Sequence, residues 1–190
     1  DPADLKRQGD RQSDDLLLAR LAEQRPSDGV LSEESADHPD RPSWRRVWII
    51  DPLDGTREFS EVDRDDWAVH VALVIEGVVQ MGVVALPARG EMYDGSRQAA
   101  PTADHLPTRI LVSRTRPPRE AETVAAALGA ELVGMGSAGA KTAAVIRGEA
   151  DLYLHAGGQY EWDLAAPVAI ALGAGLHATR IDGSPFRFNR

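Results

Sequence analysis

Leu16, Leu17, Leu18 and Leu21, with Ala19 and Ala22 between them, predict a helix over 14–24 that Arg25-Pro26-Ser27-Asp28-Gly29 ends. Val30-Leu31-Ser32 reads as a short strand running into the acidic pair Glu33-Glu34, and 35–45 as a polar loop. Val47-Trp48-Ile49-Ile50 is an unbroken apolar run, which predicts a strand buried on both faces. Two β-rich segments, 68–75 and 78–86, flank Glu76-Gly77 and suggest a hairpin, with 91–93 as a third strand. Up to this point the pattern is a helix plus an antiparallel sheet.

After about Pro107 the pattern alternates. Strands are predicted at 109–112, 131–133 and 151–154, and helices at 119–128, 138–146 and 164–172. Alternation of this kind implies a sheet layered with helices, so the fold class is a layered α/β, or α+β, architecture. The change of pattern divides the chain into 1–107 and 108–190. A last hairpin is predicted over 177–188, and with no helix after it the chain reads as trimmed.

Composition narrows the function. The chain has 190 residues, 43% hydrophobic and 27% charged, which excludes wholesale disorder. Its formal net charge of −9 gives no general attraction for a nucleic-acid polymer. No stretch approaches the roughly 20 apolar residues of a membrane helix. With no cysteine, disulfides, thiolate metal sites and thiol nucleophiles are excluded. Residues 1–10 are charged and carry no apolar signal core. The expectation is a cytoplasmic enzyme or binding protein.

The strongest local signal is Asp51-Pro52-Leu53-Asp54-Gly55-Thr56 at the end of the apolar run. A buried strand would deliver two carboxylates onto a turn, where they repel each other unless a cation joins them. Oxygen ligands without cysteine point to Mg2+ rather than zinc. The bland reading makes both acids turn residues or helix caps. Glu33-Glu34, and Asp163 at the start of a predicted helix, weigh against it. The spacing does not fit a D-x-D-G-T nucleophile motif, because the acids stand at i and i+3 with Pro52 between. Gly134 to Gly139 spells G-x-G-x-x-G, yet Asp151 comes too early for a dinucleotide site, so a tight turn with close helix packing is expected. None of the five histidines forms an H-x-x-x-H pair; His70 reads as structural and His155 as a pocket residue. Trp48 and Trp67 read as core, and Trp162 as a wall of the metal site.

Together, Ser32-Glu33-Glu34, Asp51-Pro52-Leu53-Asp54-Gly55-Thr56 and Trp162-Asp163-Leu164-Ala165-Ala166 resemble the inositol monophosphatase superfamily of Mg2+-dependent, lithium-sensitive phosphatases. The resemblance runs from Asp10 to Asn189. Thr56-Arg57-Glu58-Phe59, Asp66 to Leu73, Gly82-Val83-Val84, Lys141 and Asp182-Gly183-Ser184-Pro185 resemble its CysQ branch, the 3'(2'),5'-bisphosphate nucleotidases.

The resemblance implies a sugar-phosphatase fold, an αβαβα sandwich with two or three Mg2+ ions between the halves. It implies Glu33, Asp51, the Leu53 carbonyl, Asp54 and Asp163 as metal ligands. Glu33 and Thr56 would orient the attacking water, with Asp10 orienting the Thr56 hydroxyl. Gly55 and Thr56 amides would bind phosphate. Glu33, Leu53, Asp54 and Asp163 would border the substrate, with Gly136, Ser137, Ala138 and Lys141 as further contacts. Arg57, Lys141 or Arg147 would meet a second phosphate. The implied reaction is hydrolysis of 3'-phosphoadenosine 5'-phosphate, and of its sulfate ester, in sulfate assimilation. Inositol monophosphate and fructose 1,6-bisphosphate are the alternative substrates. A sensor of nucleotide or metal that kept the fold is the alternative from another class. Members are often homodimers. They usually carry a helix before the Asp10 region, which this sequence lacks, and usually extend past Asn189.

Overall fold

The computed structural model describes residues 1–100 and 107–190, so His105 lies outside the described residues. The first helix, α1 (Pro2–Gln24), begins well before the predicted 14–24. Asp1 caps it by accepting from the Ala3 amide, and Pro2 stands at the first helical turn. Its first half is polar, so it forms helix without presenting an apolar stripe to read. Asp10 therefore lies within a helix.

Five strands build the first sheet in the order β1 (Gly29–Ser32), β2 (Arg46–Asp54), β3 (Ala68–Ile75), β4 (Val78–Leu86), β5 (Glu91–Tyr93). The expected antiparallel sheet holds from β2 onward, but β1 pairs parallel with β2. The 33–45 connection carries the chain back to the starting end of the sheet, which a tight hairpin could not do. Glu76 and Gly77 both take positive φ, 52° and 77°, as a two-residue hairpin turn requires.

The second sheet is parallel, in the order β7 (Glu131–Met135), β6 (Arg109–Ser113), β8 (Leu152–Tyr153). Three helices follow these strands: α3 (Arg119–Leu128), α4 (Ala138–Ile146) and α5 (Glu161–Gly173), while the short α2 (Thr56–Phe59) lies between β2 and β3.

Alternation along β2 sets the layers. Val47 and Ile49 join one core with Ala165, Ala166 and Ile170 of α5 and Ala140, Ala143 and Ile146 of α4. Ile50, buried on the opposite face, lies on the side where α1 packs. Ala144 at the back of α4 meets Leu111 of the second sheet, whose other cluster joins Ile110 and Val112 to Ala121 and Ala125 of α3. The order is helix, sheet, helix pair, sheet, helix.

No hairpin forms over 177–188. A turn returns the Arg180 amide to the Ser184 carbonyl at 2.9 Å, and Phe188 donates its amide to Gly77 at 3.0 Å with its ring in the main core. Outside that turn the segment forms no strand ladder and docks onto the molecule instead. Trp48 and Trp67 are half-buried rather than core; the Trp48 indole reaches a polar partner, Asp28 Oδ2, at 2.9 Å. Among the described residues no helix is long and apolar enough to cross a membrane.

Candidate active site

In a regular strand residues i and i+3 point to opposite faces, so Asp51 and Asp54 should diverge. They do not, because β2 carries an irregularity between them. Asp51 pairs with His70 and Asp54 with Ala68, so three steps on β2 match two on β3. Pro52, which has no amide proton for the ladder, sits within it. The extra residue returns Asp54 to the face of Asp51.

Asp163 reaches the same place from the first turn of α5, where its Oδ2 accepts from the Tyr160 amide at 2.6 Å. Ligand atoms of Asp51, Asp54 and Asp163 all lie within 4.8 Å of one another. Each acid is held by donors. Asp51 Oδ1 accepts from the Leu53 amide at 3.0 Å. Asp54 Oδ2 accepts from Ser137 Oγ at 2.6 Å and the Gly139 amide at 3.1 Å.

Burial and crowding push the acids' proton affinities upward. Asp51 is held well above the carboxylate range by desolvation first, then by Asp54, Glu33 and Asp163. Desolvation and Asp54 raise Asp163 to about 6, against the Tyr160 amide and the charges of Arg116 and Lys141. Glu33 follows the end of β1; its side chain is open to solvent on one side, yet the protein packed around the carboxyl raises it to about 7. A hydrogen bond with Asp51 opposes that rise, while Asp163, Glu34 and Asp10 add to it. Desolvation, with Glu34 adding repulsion, lifts Asp10 to about 6, and its buried Oδ1 has no hydrogen-bond partner among the described residues.

The remaining expected contacts take different arrangements. The Thr56 hydroxyl donates to the Leu53 carbonyl at 3.1 Å, and no bond joins it to Asp10. The hydroxyl has one proton, and Leu53 takes it. Gly55, at φ 88°, caps the single turn of α2. Gly136 donates its amide to Asp66 at 2.6 Å, and Ala138 is buried at the start of α4. Ser137 serves Asp54 rather than standing free for a substrate.

Lys141, expected as a phosphate contact, is buried. Its ammonium donates to the carbonyls of Ser137 at 2.7 Å, Gly136 at 2.9 Å and Met135 at 3.4 Å, over the Tyr153 ring. It therefore braces the turn that supplies the Asp54 donors. Arg147 is tied to Glu149, Glu91 and Tyr93, whereas Arg57 is exposed and in no salt bridge among the described residues.

The G-x-G-x-x-G segment is the tight turn expected of it. A Cβ on Gly139 would collide with the His70 ring. His70 is fully buried; its Nδ1 lies 3.3 Å from the Trp162 carbonyl, and its Nε2 stands 3.3 Å from Asp54 Oδ2 without hydrogen-bond alignment. Trp162 stacks on Tyr160 with ring centroids 4.8 Å apart and packs against the main core.

Sequence reasoning missed Asp14. It is buried on α1 and accepts from Ser32 and Ser35. Its spacing of four from Asp10, which shares a helix face, was the available signal.

Comparison with known proteins matches residues 1–190 to the model of the inositol monophosphatase family. The chain is 51% identical to a 3'-phosphoadenosine 5'-phosphate phosphatase of Mycobacterium bovis, covering 100% of this chain and 74% of that protein. It is 31% identical to the 3'(2'),5'-bisphosphate nucleotidase CysQ of Escherichia coli K12, over 91% of this chain and 75% of the relative. The crystal structure of CysQ from Bacteroides thetaiotaomicron superposes with a TM-score of 0.80 at 31% identity, covering 95% of this chain and 78% of that one.

Proposed function

The chain belongs to the inositol monophosphatase family, and on that premise we propose that it is a Mg2+-dependent phosphatase acting on 3'-phosphoadenosine 5'-phosphate. It would remove the 3'-phosphate, leaving AMP, and serve sulfate assimilation, with 3'-phosphoadenylyl sulfate as a second substrate. The observation that carries this reading is the gathering of Asp51, Asp54 and Asp163 by the β2 irregularity and the start of α5.

The donor set fits divalent cations. Every candidate ligand is a hard oxygen, from Glu33, Asp51, Asp54, Asp163 and the Leu53 carbonyl, as Mg2+ prefers. Crowded acids whose burial disfavours their charge, together with the unpartnered oxygen of Asp10, mark a site short of positive charge. When bound, two or three ions would set positive charge against the phosphate dianion and make water a better nucleophile.

The chain's own groups would do the rest. Glu33, at the end of β1 beside the acid cluster, would help orient the attacking water. Thr56 and Asp10 would orient that water, and the Gly55 and Thr56 amides would meet the phosphate. Ser137 and Gly139 hold Asp54 in place, with Lys141 bracing their turn. Arg57, exposed and in no salt bridge among the described residues, would meet the second phosphate.

The test is phosphate release from 3'-phosphoadenosine 5'-phosphate with Mg2+ and with EDTA. The expected result is AMP and phosphate in equal amounts, abolished by EDTA. Release that ignores EDTA, or adenosine 3'-phosphate as the product, would contradict the reading.

A further inference from the structure

Asp14 is 5% exposed on α1, yet it is a carboxylate. Its Oδ1 accepts from Ser32 Oγ at 2.5 Å and its Oδ2 from Ser35 Oγ at 2.9 Å. These serines bracket Glu33 and Glu34. Regular structure ends at Ser32; the Glu33 amide still reaches the Ile50 carbonyl at 3.3 Å, and 33–35 then bend away from the sheet. A cavity of about 260 Å3 borders Ser32, Glu33 and Ser35, which leaves the segment without packing on that side. Placing a carboxylate in this interior on two neutral donors carries a desolvation penalty. An apolar side chain would anchor α1 to the sheet without it. What the carboxylate adds is two acceptors that span the segment at once.

We propose that Asp14 is a positioning residue that clamps the Ser32–Ser35 segment and thereby holds Glu33 in place to bind metal. The inference rests on the proposed reading of Glu33 as a ligand. Partners of this kind around metal ligands typically change affinity or activity by about 10- to 100-fold when removed.

The experiment is calorimetric titration of Mn2+ into the wild type and into Asp14→Ala, Asp14→Asn, Ser35→Ala and the Asp14→Ala/Ser35→Ala double variant. Asp14→Ala is expected to weaken Mn2+ binding about 10-fold, and Asp14→Asn, which keeps one acceptor oxygen, to recover part of it. The double variant should bind no more weakly than Asp14→Ala alone, because both changes open the same clamp. In turnover, kcat should fall while KM for the nucleotide stays near the wild-type value.

A structural anchor alone would lower the thermal midpoint of Asp14→Ala and leave its Mn2+ affinity unchanged, and that result overturns the proposal. Additive losses in the double variant overturn it too. If Asp14→Ala does not fold, Ser35→Ala carries the test: a several-fold loss of affinity supports the clamp, and wild-type affinity refutes it. Mn2+ binding needs no substrate. A wild type that binds Mn2+ in an Asp14-dependent way but releases no phosphate would defeat the proposed function and leave the clamp standing.

Discussion

Asp54 shows how much of the site one residue gathers. Its Oδ2 takes two hydrogen bonds from the start of α4, its backbone ends β2, and its charge raises both Asp51 and Asp163. Asp54→Asn keeps an oxygen for the Ser137 hydroxyl and Gly139 amide but removes the anion. We expect kcat to fall by at least about 100-fold, with the far-ultraviolet circular dichroism unchanged. Full activity in that variant would remove Asp54 from the metal mechanism. The acids at 51, 54 and 163 were legible because their residue types and order along the chain survive folding unaltered. Asp14 and the tasks of Ser137 and Lys141 were not. A carboxylate on a polar stretch of helix, or a lysine in a helix, declares its partner only when a distant segment arrives beside it.

Elements deliver these residues, and two of them do so by departing from regularity. The β2 irregularity rescues an i, i+3 pair that a straight strand would split. In α5, Pro167 lies inside the helix and removes the amide that would bond the Asp163 carbonyl four residues back. The helix is placed by close approach to β4. A Cβ on Gly82 would lie 2.7 Å from Ala169 Cβ and 2.8 Å from Ala166 Cα. Gly82→Ala should therefore push α5 away, cost about 1–3 kcal/mol in urea unfolding and weaken Mn2+ binding through Asp163. Unchanged stability would show that the contact is soft. The hairpin over 68–86 and helices α3 and α4 were readable to the residue, since local period and turn chemistry agree there. The polar half of α1 and the docked tail at 177–188 were not, because neither carries a periodic apolar signature.

At the scale of the molecule, alternating strands and helices were enough to predict layers. Which helices would fill the space between the sheets was not readable, because α4 and α5 follow strands of the second sheet or lie beyond them, yet pack on the first. That packing brings Asp163 to Asp51 and Asp54, and the assembled acids set a pH dependence. Asp10 and Asp163 are raised to about 6 and Glu33 to about 7. Without metal, the folded protein keeps protons on these groups that the unfolded chain has lost, over roughly pH 4 to 7. Their contribution to stability is therefore present at the acid end and is lost as pH rises through the folded values. The thermal midpoint in EDTA should fall across this window, and Mg2+ should raise it more at pH 7 than at pH 5. Equal Mg2+ shifts at both values would contradict this account of the site.

The proposed activity is selective, metal-dependent removal of a 3'-phosphate. The most direct measurement is kcat/KM with Mg2+ for 3'-phosphoadenosine 5'-phosphate, inositol 1-phosphate and fructose 1,6-bisphosphate, each with and without Li+. We expect at least about a tenfold preference for the nucleotide, roughly 1.4 kcal/mol of differential transition-state binding, together with inhibition by Li+. Equal or greater kcat/KM on inositol 1-phosphate would contradict it.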